Sequence, residues 1–272
     1  MLSGPGALSR RVERAGALVA AEYARRAAAL HPEGGALTAP LGGGSLVFAG
    51  PGHPMSRATG LGLAGPVSAA ELDELETFYF ARAAAAIVDL CPYGHATLRE
   101  LLAGRRYALT ELENVWWRSL SVAEAPSRVS HGGVSTREVL EADGELWART
   151  VLGGAFSPGE LSPLDLDVFR PFPRMSGVSC FLATVDGQPA GGGCLALGEG
   201  TAALFTTSTL PAFRNRGVQS ALLAARLEAA TRAGCDLAYA VTEPGSVSER
   251  NVQRLGFSLL YTRPVLARGH SR

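Results

Sequence analysis

The segment best suited to chemistry runs Thr209-Leu210-Pro211-Ala212-Phe213-Arg214-Asn215-Arg216-Gly217-Val218-Gln219-Ser220-Ala221. An apolar, strand-like run ends at Thr209, and a helical pattern opens at Gly217 with no Ser, Thr, Asp or Asn immediately before it. The first amides of such a helix have no side chain to satisfy them, and they carry the positive end of the helix dipole. That is the chemistry of an anion site, and a glycine at its mouth lets a ligand come close to the backbone. Arg214 and Arg216 add charge, so the expected ligand is a diphosphate.

A second set of residues is suited to moving protons. Glu243 directly follows the apolar run Leu237 to Thr242, and its carboxylate has the chemistry to accept one. Ser246 and Ser248 open the next helical stretch and Tyr261 lies on the last strand-like run; these are the candidate proton donors. Asn251 can hold a ligand by hydrogen bonds but has no acidic proton to give. The cysteines at 91, 180, 194 and 235 form no CxxC pair and have no histidine beside them, which speaks for core packing and against a zinc site, a disulfide framework or an activated thiolate. No metal is expected.

Composition narrows the field further. All 25 basic residues are arginine, so Schiff-base chemistry and the lysine-dependent phosphate loop are excluded. The 25 acidic residues balance them, and a net charge of zero gives no footprint for nucleic acid or an anionic membrane. With 47% hydrophobic residues the chain fills a core easily, yet no apolar run is long enough to cross a bilayer. The first thirty residues, with Arg10, Arg11, Arg14, Arg25 and Arg26, lack the apolar stretch of a secretory signal, so a reduced, cytoplasmic protein is expected.

The elements that must position these groups follow from periodicity and turn signals. Ala7–Leu30 is an amphipathic helix, Pro32–Gly44 a Gly/Pro-rich break, Ser45–Ala49 a short strand and Ser68–Arg82 a helix. Ala86–Leu90 is a strand, Thr97–Ala103 a helix and Tyr107–Trp117 one or two strands. A stretch from Glu124 to Ser127, holding Pro126, is the expected linker, which divides the chain into 1–125 and 126–272. Beyond it Val134–Phe156 is chiefly helical and Pro158–Pro173 irregular. Strands Val178–Val185, Gly191–Leu197 and Thr201–Thr209 come next, joined by the hairpin signals Asp186-Gly187 and Gly198–Gly200. Helix Gly217–Arg232, strand Leu237–Thr242, helix Ser246–Leu255 and strand Phe257–Leu266 complete the chain.

Sliding the chain against itself by 150 positions places Leu72 on Leu222, Ile87 on Leu237 and Tyr107 on Phe257, and the order helix, strand, helix, strand repeats without a gap. The repeat supplies an internal control. Where the second copy has Arg216 and Gly217, the first has Pro66 and Val67, and Ser68 with Glu71 fits a capping box that closes the helix start with its own side chains. Anion binding is therefore assigned to the second copy alone.

The element order from Val178 to Leu266, the string Arg214 to Gln219 and the later Asn251 with Gly256-Phe257 resemble the GCN5-related N-acetyltransferases, or GNATs. The resemblance implies an α+β fold of two tandem GNAT-like units, each a mixed, largely antiparallel sheet flanked by helices, the first a degenerate copy without a cofactor loop. It implies acetyl-CoA as co-substrate, with Thr209, Leu210, Arg214, Arg216, Gly217, Val218, Gln219, Ser220, Ala221 and Asn251 around it, and transfer of the acetyl group to an amine by direct attack in a ternary complex. Gln219 departs from the family's glycine or alanine, and Val252 stands where its tyrosine acid is usual. That missing acid leaves Glu243, Ser246 and Tyr261 as the catalytic candidates. The absence of concentrated charge points to a small-molecule amine as partner, and a homodimer is compatible with the reading. The alternative keeps the fold and drops the chemistry, as an acyl-CoA-binding sensor or scaffold.

Overall fold

A computed structural model describes residues 4–121, 133–155 and 166–269. The expected linker at 124–127 and residues 158–165 of the irregular stretch lie outside the described residues. The fold is α+β. It resolves into two compact units, one comprising Met1–Trp116, Thr242–Glu249 and Leu259–Arg272, the other Trp117–Val241 and Arg250–Ser258.

The first unit opens with α1 (Pro5–Leu30), whose Leu8, Val12, Tyr23 and Ala24 are buried as the amphipathic pattern requires. The antiparallel strands β1 (Leu37–Leu41), β2 (Gly44–Phe48) and β3 (Ala58–Thr59) follow. The chain then crosses through α2 (Ala69–Phe80) to β4 (Ala86–Asp89), which runs parallel to β3. After α3 (Ala96–Gly104) comes β5 (Ala108–Ser119). Its core gathers Leu46, Leu72, Leu75, Val88, Leu98 and Leu102 around Tyr79, whose hydroxyl donates to the Val47 carbonyl at 3.1 Å and accepts from the Val47 amide at 3.2 Å.

In the second unit β6 (Val134–Glu138), β7 (Val178–Val185), β8 (Gln188–Gly198) and β9 (Thr201–Thr209) form an antiparallel meander, with α4 (Gly144–Ala155) between β6 and β7 in sequence. α5 (Val218–Arg232) then crosses to β10 (Leu237–Thr242), which runs parallel to β9. Both units thus repeat one plan: antiparallel strands, a crossover helix, then a parallel strand. The chain ends with α6 (Val247–Arg254) and β11 (Ser258–Arg268).

Three expectations need correction. The break at 32–44 contains β1, whose Leu37–Leu41 pairs with Gly44–Phe48 across the left-handed Gly42-Gly43 turn; a proline in its fourth position hid it. The stretch 134–156 is not one helix: Val-Ser-Thr-Arg-Glu forms β6 against β7, and α4 starts only at Gly144. A single cut near residue 125 also does not describe the units, because β11 pairs antiparallel with β4 and so belongs to the first.

That first unit holds a half-buried histidine. His53 Nδ1 accepts the Met55 amide at 3.1 Å, so Nε2 bears the proton and pairs with the Tyr23 hydroxyl at 3.0 Å. Burial draws its pKa from 6.5 down to about 4. Because the folded value is depressed, the associated stability is intact above pH 6.5 and is lost as pH falls from there towards 4. The expected loss is on the order of 2 kcal/mol after allowance for partial exposure. His53→Gln should remove this part of the pH dependence, read as the wild-type minus variant difference in urea midpoint between pH 7 and pH 4.5.

Candidate active site

The glycine-rich start of β8 sets the site's backbone. A Cβ on Gly191 would lie 2.6 Å from the Ser208 carbonyl oxygen, one on Gly192 2.7 Å from Trp147 Nε1, and one on Gly193 2.8 Å from Arg226 Nη1. Only glycine therefore lets α4, α5 and β9 close on β8 together. On α4, Gly154 has the same role, since a Cβ there would meet Ser208 Oγ at 2.6 Å, and that hydroxyl donates to the Val151 carbonyl at 2.7 Å.

β9 and β10 pair from Thr201↔Leu237 as far as Leu204↔Ala240, where the ladder ends. On its other edge β9 bulges at the same point: Gly192 faces Ser208 and Cys194 faces Phe205, so Thr206 and Thr207 are opposed by Gly193 alone. Thr206 has φ 48°, an unusual setting for a β-branched residue, which re-aims the strand as it leaves β10. At the end of β9, the Oγ1 of Thr209 is buried without a hydrogen-bond partner among the described residues.

The expected anion loop follows. Leu210 is tied back by its amide to the Ala190 carbonyl at 2.9 Å, and one short helical turn, Pro211–Phe213, leads to Arg214. Asn215 (φ 61°) and Gly217 (φ 80°) are left-handed, and α5 starts at Val218 with no side-chain cap. The contrast with the first unit is direct. There the Ser68 hydroxyl accepts the Glu71 amide at 3.2 Å and Glu71 Oε2 accepts the Ser68 amide at 2.8 Å, so the capping box is complete.

Residues 149–257 match the acetyltransferase (GNAT) family profile. This segment is a GNAT domain. A comparison with curated proteins finds no match. Among solved structures, the GCN5-related N-acetyltransferase of Kribbella flavida superposes with a TM-score of 0.62 at 19% identity, covering 91% of this chain and 96% of that one. A tandem GNAT protein from the clavulanic acid biosynthesis pathway gives 0.59 at 16% identity over 84% of this chain and 79% of that one. The GCN5-related N-acetyltransferase of Sphaerobacter thermophilus gives 0.53 at 15%, over 68% of this chain and 60% of that one. At such identities the structures establish the fold, and the profile establishes the family of this segment.

Within the GNAT domain the loop arginines are lightly held. Arg216 pairs with Asp186 at 3.1 Å and lies over the Phe213 ring, and Arg214 Nη2 donates to the Gly154 carbonyl at 3.4 Å. Both contacts are exposed, where an ion pair is worth about 1 kcal/mol at most, so either guanidinium is free to turn to a stronger anion. Asn251 is half-buried on α6, and Val252 beside it is buried, its carbonyl taken by the Phe257 amide at 3.2 Å.

The proton-moving candidates separate. Glu243 is exposed just after β10. Ser246 caps α6: its Oγ accepts the Glu249 amide at 3.1 Å, and a Glu249 oxygen accepts the Gly245 amide. Tyr261 is sealed from solvent and already partnered. It is 7% exposed, its hydroxyl donates to Glu13 Oε1 at 2.5 Å, and burial with the neighbouring Glu13 charge pushes its pKa far above the usual tyrosine value. No spacing rule could have found that pairing, since Glu13 lies 248 positions away.

The cysteines are all free and buried. Burial pushes Cys91 up to about 11 and Cys194 well above its usual value, which disfavours any thiolate. Among the described residues no group of three or more His, Cys, Asp or Glu is arranged to hold a metal. None of their helices is long and apolar enough to cross a membrane.

Proposed function

We propose that the GNAT domain transfers an acetyl group from acetyl-CoA to the amine of a small molecule by direct attack, with the cofactor held in the second unit alone. The observation that carries this is the pair of helix starts. α5 has amides without a cap, two arginines and a left-handed glycine, whereas α2 is closed by Ser68 and Glu71. Where β9 leaves β10 beyond Leu204, a pantetheine arm can pair with the freed strand edge, and the orphaned Thr209 hydroxyl supplies a polar contact to it. The residues around the diphosphate are then Thr209, Leu210, Arg214, Arg216, Gly217, Val218, Gln219, Ser220 and Ala221, with Asn251 on the thioester side.

Bound acetyl-CoA supplies the activated acyl carbon. The chain supplies orientation and a dipolar strand edge for the carbonyl oxygen, and Glu243 receives the amine's proton. Ser246, occupied as a helix cap, is left as a weak donor, so the departing thiolate is protonated from solvent or through Ser246. Because all four cysteines are buried, and burial raises the thiol pKa of Cys91 and Cys194, direct transfer is favoured over a covalent acyl-enzyme.

The test is release of free thiol from acetyl-CoA on addition of a panel of small amines. Acceptor-dependent release supports the transferase. Calorimetric CoA binding with no release across the panel would favour the sensor reading, which Val252 in the acid position supports, and no binding at all would overturn both.

A further inference from the structure

The stripe of α5 that faces the sheet contains Val218, Leu222, Leu223, Leu227 and Ala230, and in its middle stands Arg226 with no solvent exposure. No carboxylate meets it among its described contacts. Its Nε donates to the Leu222 carbonyl at 3.0 Å, and Nη1 reaches the Cys194 carbonyl at 3.0 Å, Thr207 Oγ1 at 2.8 Å and the Phe205 carbonyl at 3.4 Å. Nη2 has no partner among the described residues. Burial lowers its pKa to about 10, so it stays charged at neutral pH. An unpaired buried charge is costly, and a leucine would complete this stripe more cheaply, so packing gives no reason for it.

Its contacts give one. Cys194 and Phe205 are the pair at which the β8–β9 bulge opens and Thr207 lies within it, Gly193 leaves the room the guanidinium fills, and left-handed Thr206 sits between two of its partners. The bulge begins directly after Leu204, the last β9 residue paired to β10. We propose that Arg226 is a positioning residue, holding the Phe205–Thr207 bulge from behind so that the free edge of β9 is fixed for the acyl thioester carbonyl and backed by a buried positive charge. This deepens the acetyl-CoA reading and rests on it.

The test compares wild type with Arg226→Met, which keeps the volume without the charge, and Arg226→Lys, which keeps charge and a donor. In protein without ligand, amide exchange of the peptide covering 203–209 should rise about tenfold or more in Arg226→Met and return most of the way in Arg226→Lys, while β7 is unchanged. With [1-13C]acetyl-CoA bound, the carbonyl infrared band should lie below its free position in wild type and shift back in Arg226→Met, with CoA affinity changed less than about threefold and turnover down about thirty- to a hundredfold. Unchanged exchange, or an unshifted band and turnover with CoA still bound, overturns the role of Arg226 and leaves the acetyltransferase reading standing. Wild type that fails to bind CoA overturns both.

Discussion

Replacing Gly217 with aspartate should weaken CoA binding a hundredfold or more, while Gly217→Asn weakens it less than about tenfold. Both residues are tolerated in the left-handed region that φ 80° demands, so the pair differs in charge and little else. A carboxylate about 4 Å from a diphosphate charge costs roughly 4 kcal/mol at an effective dielectric of 20, and solvent screening still leaves about 2.7 kcal/mol, a hundredfold in affinity. Isothermal titration with CoA reads this directly. Val67→Asp, at the equivalent place beside α2, should leave the affinity within twofold or so, because Ser68 and Glu71 already occupy that helix start. Equal effects at the two positions would put the cofactor somewhere other than α5.

Arg263→Met should cost about 3–5 kcal/mol, the usual toll of breaking a buried ion pair from one side. In the first unit Arg263 lies 3.1 Å from Glu13 and 2.5 Å from Glu113, and Arg57 lies 3.2 Å from Asp89 and 3.1 Å from Glu113. Burial raises the pKa of Glu13 and Asp89, against the pull of these guanidiniums. Glu113 is half-buried, and the two arginines prevail over that burial and hold it below the ordinary carboxylate range. Without Arg263, Glu13, Asp89 and Glu113 would be left to the guanidinium of Arg57, which Glu111 also approaches at 3.9 Å. Their pKa values would climb, so the deficit should be greatest at neutral pH and narrow as pH falls and they take up protons. A loss below about 1 kcal/mol in the urea transition at pH 7 would show that solvent already screens the cluster.

Much of the second unit was legible because its signals are local. Asp186-Gly187 and Glu199-Gly200 are left-handed pairs that turn the β7–β8–β9 meander, and the uncapped start of α5 is visible as a glycine preceded by arginine. β1 was not legible, since Pro40 and the glycines around it mimic a loop and only pairing with β2 makes the strand. Tyr261 looked available because a half-buried strand tyrosine and one sealed against a distant carboxylate read alike in sequence. Arg226 was hidden for the opposite reason: within a helix rich in alanine and arginine, a core arginine looks like another solvated one.

The placement of β11 bears on how the chain comes into being. β4 keeps an open edge until Val265–Arg268 arrive to pair with Ala86–Asp89, and Arg263 and Tyr261 come with the same strand. During synthesis, then, the first unit leaves the ribosome unfinished, with Glu13 and Asp89 lacking the Arg263 guanidinium until β11 has also been made. Removing β11 would cost the integrity of the half made first.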